Sequence, residues 1–123
     1  MNKNIRILVV EDEILVGIML SRKLESCGYE VGDVIINGEE AVRVTDRERP
    51  DVILMDIALS GSLNGLEAAR QIRDKYNIPI ILFTGYDTEK LSQQVLDIEP
   101  AAIISKLDNI EVVLKAIEKA VAA

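Results

Sequence analysis

The sequence predicts an α/β domain, a doubly wound five-stranded parallel sheet flanked by five helices. Three observations predict it. Short β-branched runs alternate five times with longer segments of helical periodicity. The runs 5–10, 52–55 and 78–83 are almost wholly apolar, as strands covered by helices on both faces are. Pro50, Pro79 and Pro100 each fall in a connection just before a strand, where a helix cannot continue.

In order along the chain, the first strand is expected over Ile5–Val10. In the helix that follows, Val16, Leu20, Leu24 and Cys27 share a face at about 100° per residue and should be buried. Ile14, Leu15 and Ile18 then fall on the far side, among Arg22 and Glu25. Gly17, which costs about 1 kcal/mol relative to alanine inside a helix, suits the close approach of a neighbour. The second strand is expected over Val31–Ile36. Asn37, three positions before Glu40, marks the start of the second helix, because its side chain can cap the first turn while the glutamate reaches back. Val52–Met55 is the third strand, and Asn64 with Glu67 repeats the capping signal. Ile78–Phe83 and Ala101–Ile104 are the fourth and fifth strands, with a helix between them. Asp108 with Glu111 opens the last helix.

Length and composition bound the function. The 123 residues suit one domain, 1–123, with one core. Apolar residues make up 49% of the chain, yet no apolar run approaches the roughly 20 residues that span a bilayer, so no membrane association is expected. The N-terminus runs from Met1 through Lys3 straight into a strand without a secretory signal, so the expected location is cytoplasmic. Cys27 is the sole cysteine, which excludes an intrachain disulfide and a cysteine metal cluster and suggests an inert buried thiol. With 21 acidic against 14 basic residues and no basic run, direct nucleic-acid binding by this chain is not expected.

In a parallel sheet all carboxyl ends share one edge, and ligands of open α/β sheets bind in the crevice outside those ends. Glu11 and Asp12 follow the first strand, Asp56 the third, Thr84 the fourth and Lys106 the fifth. Singly, each has an ordinary reading: Asp12 as a helix cap, Asp56 as a turn former, Thr84 as a strand residue, Lys106 as a surface charge. Together they occupy the same position relative to successive strands, which independent causes rarely arrange. Three neighbouring carboxylates raise each other's pKa unless a cation compensates, and a hard ion such as Mg2+ supplies that compensation. Lys106 and Thr84 add a point charge and a hydroxyl suited to a phosphoryl group.

These residues resemble the response-regulator receiver domains of two-component signalling over essentially the whole chain. Glu11-Asp12 matches the family's acidic pair, Asp56 in Asp51-Val52-Ile53-Leu54-Met55-Asp56 its phosphoacceptor, Thr84 in Phe83-Thr84-Gly85-Tyr86 its switch hydroxyl, and Lys106 its lysine. The resemblance implies a flavodoxin-like strand order 2-1-3-4-5 and transfer of a phosphoryl group to Asp56 from a partner phosphohistidine. It implies Mg2+ held by Asp12, Asp56 and the carbonyl of Ala58, with Glu11 orienting a metal-bound water. The implied activity is that of a signalling switch that catalyses its own phosphorylation and dephosphorylation. The implied partners are a histidine kinase or a histidine phosphotransfer protein, docking on Ile14, Leu15 and Ile18, with a homodimer as a further assembly.

Three departures from the family pattern concern the output side. Ile103 stands where the family usually has an aromatic residue, and Leu107 where it usually has a proline in a cis bond. A trans Lys106–Leu107 bond is therefore expected, since a cis bond before a non-proline residue costs roughly 2.5–4 kcal/mol. Ser60 replaces a common proline in a connection one residue longer than usual.

Competing readings are a pseudo-receiver acting without phosphate, a flavin binder of the same fold, and a Mg2+-dependent aspartyl phosphatase. Glu11-Asp12-Glu13 would repel a flavin phosphate. The phosphatase type, as in the haloacid dehalogenase family, has a second aspartate where this chain has Ala58.

Overall fold

The computed structural model describes residues 4–59, 63–85, 93–106 and 108–122. Strands and helices alternate along them: β1 (Arg6–Val10), α1 (Ile14–Ser26), β2 (Glu30–Val31), α2 (Gly38–Glu48), β3 (Val52–Asp56), α3 (Gly65–Lys75), β4 (Ile80–Thr84), α4 (Gln93–Ile98), β5 (Ala102–Ser105) and α5 (Ile110–Ala122). The strands form one parallel sheet in the order β2-β1-β3-β4-β5. The expected architecture and strand order are thus present.

This order explains where the helices lie. From β1 the chain steps outward to β2, then returns across β1 and proceeds through β3, β4 and β5. With right-handed crossovers, reversing the direction of travel moves the helices to the opposite face. Accordingly, alternate residues of each strand enter two separate cores. Ile7, Val9 and Leu54 pack with Leu24 of α1 and with Val113 and Ile117 of α5. Leu8, Val10 and Met55 pack with Ala41 of α2, Ala69 of α3 and Val95 of α4. The direction reverses between β1 and β3, and the crevice opens there.

Capping fixes the helix starts. Asn37 Oδ1 accepts the Glu40 N–H at 2.8 Å and Asn64 Oδ1 the Glu67 N–H at 2.9 Å, as expected from their spacing. The Glu40 carboxylate pairs with Arg43. At α5 the cap is Asn109, not Asp108: Asn109 Oδ1 accepts the Glu111 and Val112 N–H groups at 3.1 and 3.3 Å. Asp108 instead turns back, accepting the Ser105 N–H on Oδ2 at 3.1 Å. Position in the turn, rather than the three-residue spacing, decides which of two adjacent polar side chains reaches the helix amides.

Three further expectations are corrected. The strand expected over Val31–Ile36 is only Glu30–Val31, followed by a bridge from Ile35 to Val10. Between the pairs Ile7–Val31 and Val10–Ile35, two residues on β1 face three on the other strand, so Gly32-Asp33-Val34 bulges from the sheet edge. The buried face of α1 is Gly17, Ser21 and Leu24, with Leu20 half-buried, while Val16 is exposed. The reason is contact rather than hydrophobicity: a Cβ on Gly17 would lie 2.6 Å from Val34 Cγ1, so the helix settles with its glycine against the bulge. Cys27 is exposed, because α1 ends at Ser26 and Cys27 is its cap residue. Expectations for the Lys106–Leu107 bond and for Ser60 and its lengthened connection fall on residues 107 and 60–62, outside those described.

Candidate functional site

Strand register brings the acidic residues together. Val10 pairs with Met55, so Glu11, the next residue, stands beside Asp56 at the end of β3. The Glu11 N–H donates to the Ile35 carbonyl at 2.8 Å, extending the strand pairing and fixing the direction of its side chain. Glu11 and Asp56 are buried, and Asp12 is half-buried. One carboxylate oxygen from each of Glu11, Asp12 and Asp56 lies within 4.8 Å of the others.

Lys106 enters from the far side of the crevice. Its N–H donates to the carbonyl of the buried Thr84 at 2.8 Å, and a turn brackets it, since the Asp108 N–H donates to Ser105 O at 3.0 Å. Lys106 Nζ lies 2.9 Å from Glu11 Oε1, 3.1 Å from Asp56 Oδ2 and 3.4 Å from Glu13 Oε1. The remaining Asp56 oxygen, Oδ1, accepts the Ala58 N–H at 3.0 Å. Both oxygens of Asp56 are thereby held by donors, which orients its carboxylate toward the cavity.

Burial, and then the neighbouring Asp56 carboxylate, push the Glu11 carboxyl up from 4.5 to about 7, against the opposing pull of Lys106 and the Glu13 N–H. For Lys106, burial disfavours the charge, but hydrogen bonds to Glu11 and Asp56 outweigh it and raise its pKa. The ammonium therefore acts as an internal counterion. It is outnumbered, with Glu11, Glu13 and Asp56 in contact with one ammonium and Asp12 beside Glu11 and Asp56. An all-oxygen donor set with this surplus of negative charge fits a hard divalent cation such as Mg2+.

Glu11, Asp12, Asp56 and Lys106 converge at this edge, while Ala58 and Thr84 contribute through atoms other than the expected Ala58 carbonyl and Thr84 hydroxyl: the Ala58 N–H donates to Asp56 and the Thr84 carbonyl accepts the Lys106 N–H. Two others were not anticipated. Glu13 contacts Lys106, and its only sequence signal is membership of the acidic run Glu11-Asp12-Glu13. Gly65, the first residue of α3, would place a Cβ 1.9 Å from the Asp56 carbonyl oxygen, so the helix start packs directly on the end of β3. The Gly65 N–H donates to Ile57 O at 3.1 Å across that contact. The cavity bounded by Asp12, Glu13, Asp56, Ala58, Gly85 and Lys106 has a volume of about 360 Å³.

Beyond Glu13, α1 exposes apolar side chains. Ile14, Leu15 and Ile18 are exposed on α1 as expected, and Val16 and Met19 extend the patch. Ile103 is half-buried, pairs with Leu82 and packs on the core facing α2, α3 and α4. Among the described residues, no helix is long and apolar enough to cross a membrane.

A parallel sheet wound in this order, with an acidic cluster and a lysine at its switch point, defines a class of signalling domain. The structure is similar to the signal receiver domain of a modulated diguanylate cyclase from Desulfovibrio desulfuricans G20, with TM-score 0.88 and 37% identity, covering 98% of this chain and 95% of that one. It is similar to the BeF3-activated N-terminal receiver domain of RstA from Klebsiella pneumoniae, with TM-score 0.88 and 29% identity, covering 96% and 99%. The chain is also 32% identical over 116 residues to the transcriptional regulatory protein PdtaR of Mycobacterium tuberculosis, covering 94% of this chain and 56% of that protein. It thus spans little more than half the length of that relative. The family model for the response regulator receiver domain matches residues 7–118, and the chain belongs to that family. Members are signalling switches of two-component systems rather than classical enzymes.

Proposed function

We propose that this receiver domain accepts a phosphoryl group on Asp56 from the phosphohistidine of a histidine kinase or histidine phosphotransfer protein, and that the modification switches a protein-interaction surface. The observation that carries this reading is the Lys106 ammonium poised between Glu11 and Asp56 inside a cluster of three carboxylates.

In the proposed step, a carboxylate oxygen of Asp56 attacks phosphorus while the P–N bond to the donor imidazole breaks. The electron pair stays on that nitrogen, which then takes a proton. Lys106 turns a donor from Asp56 to the phosphoryl oxygens, where negative charge spreads in the transition state. The Ala58 N–H holds the attacking carboxylate in place. Mg2+ would be held by Asp12, Asp56 and the Ala58 carbonyl, with Glu11 acting through water, and would supply charge neutralisation to the transferring group. Thr84 offers its hydroxyl to the new phosphoryl oxygens, which couples the modification to the end of β4. Ile14, Leu15 and Ile18 form the docking face for the helical phosphodonor, because apolar side chains exposed beside the cavity suit a partner that must reach into it.

Intact mass after incubation with acetyl phosphate and Mg2+ tests the reading. Wild type should gain one phosphoryl group, and Asp56→Asn none. A folded, Mg2+-binding wild type that gains nothing would overturn it in favour of a phosphate-independent interaction module.

A further inference from the structure

We infer that Glu13 is a specificity-determining residue, an anionic gatepost that disfavours small free phosphodonors at the Asp56 cavity. The inference rests on the phosphoaccepting role proposed above.

Glu13 holds the position that caps α1, yet its side chain makes no capping hydrogen bond. The first-turn role is not what occupies it. Its Oε1 faces Lys106 Nζ at 3.4 Å, and Glu13 lines the same cavity as Asp56 and Lys106. The side chain of Glu13 is 65% exposed, whereas those of Glu11 and Asp56 are 7% and 2% exposed. Of the carboxylates around Lys106, two are therefore on the floor and Glu13 is at the mouth.

Two consequences for an incoming phosphoryl group follow from that placement. A free donor such as acetyl phosphate carries its negative charge past Glu13 without compensation, and like charges at such separations repel across partly screened solvent. Glu13 also engages one of the three N–H donors of Lys106, all of which already face carboxylates. A protein donor that docks on the apolar face of α1 meets the same charge but adds contact energy of its own. The gatepost thus discriminates by the kind of donor, through charge at the entrance rather than through shape.

The test measures rates of Asp56 phosphorylation by acetyl phosphate, with saturating Mg2+, for wild type, Glu13→Gln and Glu13→Asp at several ionic strengths. Glu13→Gln should react about three- to tenfold faster at low salt, and the advantage should shrink toward unity near 1 M salt, where the screening length is about 3 Å. Glu13→Asp, which keeps the charge, should show the salt dependence of wild type. A merely structural role for Glu13 would alter stability without altering that salt dependence. If wild type and Glu13→Gln are labelled at equal rates at every ionic strength, the gatepost is wrong and the phosphoaccepting reading stands. If none of the three is labelled while all remain folded, both fall.

Discussion

The carbonyl oxygen of Asp56 sits 1.9 Å from the position a Cβ on Gly65 would occupy. The start of α3 and the end of β3 are thus in backbone contact, and no flexible side chain is available to yield. Gly65→Ala should destabilise the fold by about 2–3 kcal/mol in urea titration, the usual scale of overpacking, and weaken Mg2+ binding by displacing the Asp56 carboxylate. An alanine variant with wild-type stability and Mg2+ affinity would show that the contact does not constrain the site.

Glu11 makes the stability of the metal-free protein pH-dependent in a direction unusual for a carboxylate. Its folded pKa of about 7 lies above the ordinary value of 4.5. Between those values the folded chain holds a proton that the unfolded chain has released, so stability falls as pH rises through that window. By pH 8 the loss should level off at roughly 3 kcal/mol, and Glu11→Gln should flatten the profile. Urea midpoints at pH 5 and pH 8 give the comparison.

The same proton competes with metal. Below pH 7 the affinity for Mg2+ should fall by up to about tenfold per pH unit, with protons released on binding, as calorimetric titration in buffers of different ionisation heat would register. Affinity that is flat between pH 5.5 and 8 would argue that Glu11 does not sense the ion.

Replacing Lys106 leaves Glu11 and Asp56 buried without their counterion. The ammonium retains some solvent exposure, so Lys106→Met should cost about 2–3 kcal/mol at pH 8, below the range for fully buried pairs. The loss should be smaller at pH 5, where Glu11 is protonated, and excess Mg2+ should recover much of it. Thermal melts with and without Mg2+ at both pH values test all three statements.

Ile14→Glu combined with Ile18→Glu changes two exposed side chains and should shift stability by no more than about 0.5 kcal/mol. Phosphorylation by acetyl phosphate should persist, slowed at low salt only by the few-fold that added negative charge costs, while transfer from a phosphohistidine partner should slow by about tenfold or more at every ionic strength if the face carries one docking hot spot. Equal partner-dependent rates would remove α1 as the docking surface.

Much of this was legible in the sequence, for physical reasons that differ by element. Strand ends were readable because apolar runs stop where the sheet stops, and that placed Glu11, Asp12, Asp56, Thr84 and Lys106 on one edge. Asn37 and Asn64 were readable because capping is local chemistry. The orientation of α1 was not, since it depends on Gly17 meeting Val34 from a different element. Gly32-Asp33 interrupts β2 inside an otherwise strand-like run, and only pairing with β1 reveals the bulge. Glu13 looked like one more acid at a helix start until Lys106, 93 residues away, was placed beside it.

A pocket that carries its own tethered cation leans less on free ones while the chain folds. Lys106 arrives at Glu11 and Asp56 with the folding of β5, whatever divalent ion the surroundings hold. Chelators should therefore strip the site without unfolding the domain, and a newly made chain can reach its native form before it meets metal. On the proposed reading, metal loading would resemble ion exchange on a solid support, one counterion of Glu11 and Asp56 giving way to another.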